Sequence, residues 1–182
     1  INHARPSVSG SRDTLEDDAF RELAGALVAR SGDSSAAFQG LNLSMALDLD
    51  AGLSSATRVL ERGEARAHVK VFALMAIARF GNLEDHTALI QRFLNDDQVY
   101  HTSPVPRQAD QENDAPPEPR YAVQVRDVAL AVTWHLQDES LQTQGFERVQ
   151  RHPHYVYNPS TLGFTTPELR GQAFARLQRP QE

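Results

Sequence analysis

Apolar residues recur along this chain at intervals of three and four, the period of a helix packed on one side. Phe20, Leu23, Leu27 and, on the flank, Val28 predict a first helix over 15–30, with Thr14-Leu15-Glu16-Asp17 as an acidic variant of a capping box. Phe38, Leu41, Met45 and Leu49 predict a second over 35–49, broken by Gly52. Leu53, Ala56 and Leu60 predict a short third helix that ends at Gly63. The fourth, over 64–80, is apolar on nearly every side: Val69, Phe72, Ala73, Ala76, Ile77 and Phe80 form one stripe, and Val71, Leu74, Met75 and Ala78 cover most of the other. Such a helix must be buried all round, which makes it the predicted centre of the protein. Gly81 is placed as a left-handed cap, and Asn82 as the cap of a fifth helix over 83–95 that turns Leu89, Ile90, Phe93 and Leu94 inward.

The pattern collapses over 97–119, a stretch rich in proline and acid (Pro104, Pro106, Pro116, Pro117, Pro119, Asp110, Glu112, Asp114, Glu118). A connection of this length is either a binding loop or a passive insertion. Helical spacing returns over 121–136 with Val125, Val128, Ala129, Val132 and Leu136, and Trp134 is expected in the core. A short seventh helix is predicted over 139–143, followed by a Gly145-Phe146 corner. Residues 148–165 read as irregular and rich in His and Tyr. Thr166-Pro167-Glu168 then starts a last helix over 167–177, with Leu169, Ala173, Phe174 and Leu177 inward. Residues 1–13 read as a tail, and 14–182 as one helical domain carrying the 97–119 insertion.

One phrase recurs within these helices: a basic residue, then alanine three positions on. It appears as Lys70, Ala73, Leu74, as Arg126, Ala129, Leu130 and as Arg170, Ala173, Phe174, with a fainter copy at Arg21, Ala24, Val28. The alanine permits close helix approach, and the basic stem covers apolar surface while its charge stays at the edge. Asp127, next to Arg126, is of the kind that pairs with a neighbouring repeat. Short helix pairs cannot hide their own apolar faces, so neighbours must supply the other side of the core. The fold class this predicts is all-α, a right-handed α-solenoid of stacked helical hairpins.

Residues 67–98, with Val69-Lys70, Ala73-Leu74, the Gly81-Asn82 turn, Leu89-Ile90, Leu94 and Asp96-Asp97, resemble a HEAT-like repeat, and Val125-Arg126 and Ala129-Leu130 open the next copy. The phrases Arg126-Asp127-Val128-Ala129-Leu130, Gly145-Phe146 and Leu162-Gly163-Phe164 are similar to those of HEAT-like proteins from planctomycete-type bacteria. The resemblance covers about Glu64 to the C-terminus, leaves the 97–119 insertion outside the repeat, and implies a binding scaffold without naming its partner.

Composition narrows the chemistry. A net charge of −6 disfavours nucleic acid and anionic lipid, which are held by clustered Lys and Arg. No apolar run approaches the about 20 residues needed to span a bilayer. The absence of cysteine removes disulfides, thiolate metal sites and cysteine nucleophiles. The chain begins at Ile1, which is compatible with a cleaved signal peptide, so either the bacterial cytoplasm or the periplasm is open.

His152-Pro153-His154, with His101 and His135 as possible partners, lacks the spacing of a zinc site, and no metal or cofactor is expected. Asp96-Asp97 and the Asp48/Asp50 pair read as solvated turns between repeats, and the Asn42 triplet lies within a helix. No nucleophile elbow or phosphate-cradling glycine loop occurs. The aromatic loop is the better binding candidate: Arg148, Arg151, His152, Tyr155, Tyr157, Asn158 and Phe164 offer the aromatic and arginine side chains that dominate interfaces. The same tyrosines would equally serve to pack the loop onto the last helices. The expected function is that of a non-enzymatic protein-binding scaffold or a subunit of an assembly. The alternative is an enzyme, or a small-molecule or pigment binder, that uses the solenoid groove.

Overall fold

A computed structural model describes residues 18–26, 28, 34–104 and 120–178 of the chain. The expectations for the 1–13 tail, the Thr14 cap, Leu27 and the proline-rich residues 105–119 lie outside the described residues. The elements are α1 (18–26), α2 (Ser34–Leu47), α3 (Ala51–Arg62), α4 (Ala67–Phe80), α5 (Leu83–Gln91), β1 (Val99–Pro104), β2 (Arg120–Gln124), α6 (Val125–Leu136), β3 (Arg151–His152), β4 (Val156–Tyr157), a 3-10 turn (Pro159–Thr161) and α7 (Pro167–Leu177). The protein is mostly helical. None of its described helices is long and apolar enough to cross a membrane.

Helix α4 is the centre. Every residue from Val69 to Ala78 is buried, because α2, α3 and α6 pack around it and α6 also packs on α5. Its end differs from expectation: Gly81 is extended (φ −91°, ψ −177°), not left-handed. The reason for glycine there is space, since a Cβ would lie 2.7 Å from the Ile77 carbonyl oxygen. Gly52 is likewise no helix breaker. It sits inside α3 against the Ser44 side chain, where a Cβ would collide, and α2 instead ends at Asp48 in a left-handed turn (φ 58°). Gly63 does close α3 in the left-handed region (φ 70°). Asn82 caps α5 and Thr166 caps α7 by accepting the amides of Asp85 and Leu169.

Helix α1 shows a different inner face from the one its spacing predicts. Ala24 and Val28 are buried, while Phe20 and Leu23 are 56% and 70% exposed. Arg21 of the same helix donates a long bond, 3.4 Å, to the Asp48 carbonyl at the end of α2. In α7 only Ala173 of the expected inward set is fully buried; Leu169, Phe174 and Leu177 are partly covered. Residues 139–143 form turns and coil rather than a helix.

The sixth helix begins four residues later than its periodicity suggests. Residues 120–124 instead pair antiparallel with β1, so the start of the 97–119 stretch and the residues that follow it form a ladder with a bulge near Tyr100. Tyr121 and Val123 are buried by it. Ala122 pairs on its other side with Phe164, both amide bonds measuring 3.1 Å.

Of the recurrent basic residues, Lys70 and Arg170 each pair with a carboxylate, whereas Arg126 and Arg21 bond other groups. Lys70 is buried and pairs with Asp96 at 2.7 Å, so neither its charge nor that acid is left at the solvated edge. The Asp96 backbone carbonyl accepts the Arg126 amide, and the Arg126 side chain bonds Gln124. Arg170 grips Asp127 with both oxygens engaged, at 2.7 and 3.1 Å. Burial pushes the Asp127 carboxyl up from its ordinary value, and Arg170 and the Gln124 amide pull it back.

Candidate functional site

The aromatic loop is held by its flanks. Phe146 is fully buried with its ring 5.0 Å from Phe164, after a left-handed Gly145 (φ 102°). Asn158 closes the far end: its amide bonds the Gln150 carbonyl, and its side chain accepts from Ser160. Between them, residues expected to be irregular form the small antiparallel pair β3–β4.

The first residue of β4 is strained. Val156 has φ 66°, and the Tyr157 amide donates to the Tyr155 carbonyl at 2.7 Å, a three-residue turn that a β-branched residue adopts at a cost. The result is that Tyr155 and Tyr157 reach different helices. The Tyr155 hydroxyl donates to Asn42 of α2 at 2.9 Å, and its ring meets Phe72 of α4 edge-on at 5.2 Å. Tyr157 meets His135 of α6 edge-on at 5.4 Å. Val156→Gly relieves that strain and Val156→Ala does not, while both remove the half-buried valine side chain, so the glycine variant is expected to be more stable than the alanine variant by about 1 kcal/mol. Urea unfolding measures it, and a midpoint no higher for glycine than for alanine would show the turn is not strained.

The seven candidate residues do not form one patch. Tyr157 and Phe164 are buried in the core. Asn158 serves the turn. His152 stacks on Tyr155 at 4.3 Å, its Nδ1 accepting the amides of His154 and Tyr155. Arg148 lies 4.6 Å over the Tyr121 ring and Arg151 lies 4.8 Å over the Tyr157 ring. These two arginines open on different depressions. Arg148 borders a shallow groove of about 540 Å³ with His101, Ser103 and Tyr121. Arg151 borders a narrower cleft of about 270 Å³ with His135, Asp138, Glu139 and Tyr157. Burial pushes the Tyr121 hydroxyl up to about 12, where it accepts the Gly163 amide.

The sequence reading passed over Tyr121, Asp138 and Glu139. Their only signal was position: Tyr121 at the end of the insertion, the two acids just past a helix end. Asp138 adopts a left-handed backbone (φ 59°) where α6 stops. Among the described residues, no group of three or more His, Asp or Glu is placed to hold a metal ion.

His135 is fully partnered. Its Nε2 lies 3.1 Å from the Ala78 carbonyl, which can only accept, so Nε2 carries the hydrogen and Nδ1 accepts from the Tyr157 hydroxyl at 3.3 Å. Burial, aided by the Arg151 charge, lowers its pKa from 6.5, against the pull of the Ala78 bond and Asp138. The unfolded chain thus takes up this proton first, so the contribution of neutral His135 is lost as pH falls below about 6.5 and through its lowered folded value. His135→Gln is expected to flatten that limb of the stability–pH curve relative to the parent. Parallel curves from thermal unfolding would refute the assignment.

Comparison of the chain with protein-family models, with curated proteins and with solved structures finds no match.

Proposed function

We propose that this chain is a non-enzymatic helical-repeat scaffold, an α-solenoid of HEAT-like hairpins that holds a protein partner. The reading is supported by one observation: the basic residues near the starts of α4 and α7 are each tied to a carboxylate outside their own helix, Lys70 to Asp96 at the end of the same 67–98 segment and Arg170 to Asp127 of α6. The backbone amide of Arg126 donates to the Asp96 carbonyl and joins the start of α6 to the end of that segment. Such ties within and between helical hairpins would fix the register of stacked repeats. The hairpin at 151–157, bolted through Tyr155 and Tyr157 to three helices, offers a rigid surface whose ordering entropy is already spent before a partner arrives.

Cross-linking of the native extract followed by mass spectrometry tests this. The expected result is a partner protein linked near residues 148–155, and its loss in the Arg148→Ala/His152→Ala variant with unchanged circular dichroism. A monomer with no cross-linked partner would count against the scaffold. Pigment absorbance or bound metal in the native protein would instead favour a small-molecule role for the groove.

A further inference from the structure

The cleft at the end of α6 has a charge layout that a protein scaffold leaves unused. Its lining brings together Asp138, Glu139 and Arg151, the last of which lies 4.8 Å over the Tyr157 ring. Among the described residues, neither the Asp138 nor the Arg151 side chain forms a hydrogen bond or an ion pair, and Glu139 takes only one bond, at 3.3 Å from Gln144. Opposite charges therefore face one cleft without neutralising each other. The floor is uncharged: the Tyr157 hydroxyl gives its hydrogen to His135 and keeps its oxygen free to accept. Burial lowers the His135 pKa, and its bond to the Ala78 carbonyl fixes the tautomer whose Nδ1 accepts from Tyr157.

We propose that this cleft binds a free α-amino acid, its carboxylate on Arg151 and its ammonium beside Asp138 and the Tyr157 oxygen. A simple anion would satisfy Arg151 but face two carboxylates, and a simple cation would face the guanidinium. One small molecule carrying both charges can make charge-assisted bonds to Arg151 and to Asp138 together. A peptide carries them at opposite ends, farther apart than in a free amino acid. The size agrees, since a cleft of about 270 Å³ lies below the ~300–1,000 Å³ typical of pockets for larger ligands. The wider groove under Arg148 makes no comparable case: it opens beside β1–β2, whose connecting residues 105–119 are not described.

The test is NMR titration of the full chain with the twenty common amino acids, then with the N-acetyl and the amide forms of any that bind. At least one free amino acid is expected to shift the ring signals of His135 and Tyr157. Its acetylated form, which lacks the ammonium, and its amide, which lacks the carboxylate, should each bind at least about tenfold more weakly. Arg151→Gln should weaken the free amino acid about tenfold while leaving the amide unaffected, and Asp138→Asn should weaken the free amino acid about tenfold while leaving the acetylated form unaffected. Both positions are exposed, and asparagine tolerates the left-handed backbone at 138, so a melting curve suffices to confirm folding. Equal binding of free and blocked forms, or no ring shift with any of the twenty, overturns the proposal. Neither result touches the scaffold reading, which rests on partner capture.

Discussion

Replacing Asp127 with alanine is expected to cost about 3–5 kcal/mol, the range for removing one partner of a buried ion pair. The carboxylate is fully buried and its partner guanidinium is only 12% exposed, so Arg170 would keep its charge with the Ala122 carbonyl as its remaining acceptor. The Gln124 amide at the start of α6 would lose its acceptor as well. Urea unfolding should report this loss, with a fall in Tm of about 10 °C for a chain of this size. The double variant Asp127→Ala/Arg170→Leu should recover part of it, because no unpaired charge is then buried. A loss below about 1 kcal/mol would mean that the pair acts as an exposed surface bridge does. It would also remove the observation on which the repeat register rests.

Phe146→Ala should be comparably severe, about 3–5 kcal/mol, since it empties one of the largest fully buried side-chain volumes in the protein. Against a total stability of about 5–15 kcal/mol, that brings the chain close to unfolding. The damage should be directional. Phe146 packs on Phe164, which continues the β1–β2 ladder through Ala122, and Arg170 of α7 lies over the Phe164 ring. Hydrogen exchange should therefore show α7 and residues 159–166 opening before α4, which keeps its own neighbours. Uniform loss of protection would show that Phe146 stabilises the whole core and not its C-terminal side. Phe146→Leu, which retains most of the volume, should cost less.

Helical periodicity made much of this architecture legible. Helix α4 is buried on all sides as its all-round apolar composition demands, and Asn82 and Thr166 cap as their residue types predict. Periodicity failed where short runs fit two patterns. Tyr121 and Val123 occupy both a helical and an alternating spacing, and only the presence of β1 alongside decided for a strand. The same holds at 151–157, where two residues per strand are too few to leave a signature. Glycines misled for a related reason. Gly52 and Gly81 serve close packing against Ser44 and Ile77, neighbours that a local reading does not see.

The candidate site was legible as a region and not as a set. Aromatic and arginine content singled out 148–165 as a binding candidate and an irregular stretch, yet part of it pairs as β3–β4 and its residues divide between core, turn and two separate depressions. Asp138 and Glu139 came to Arg151 only through folding.

What the sequence by itself determined is the helical, α4-centred character of the chain and the identity of its recurrent basic positions, because side-chain period and residue type are local properties. What the tertiary structure alone decided is which charge meets which. Lys70 finds Asp96 across 26 residues, Arg170 finds Asp127 across 43, and Tyr155 finds Asn42 across 113. Ion pairs and hydrogen bonds act over a few ångströms, and such distances between remote residues exist only once the helices have packed.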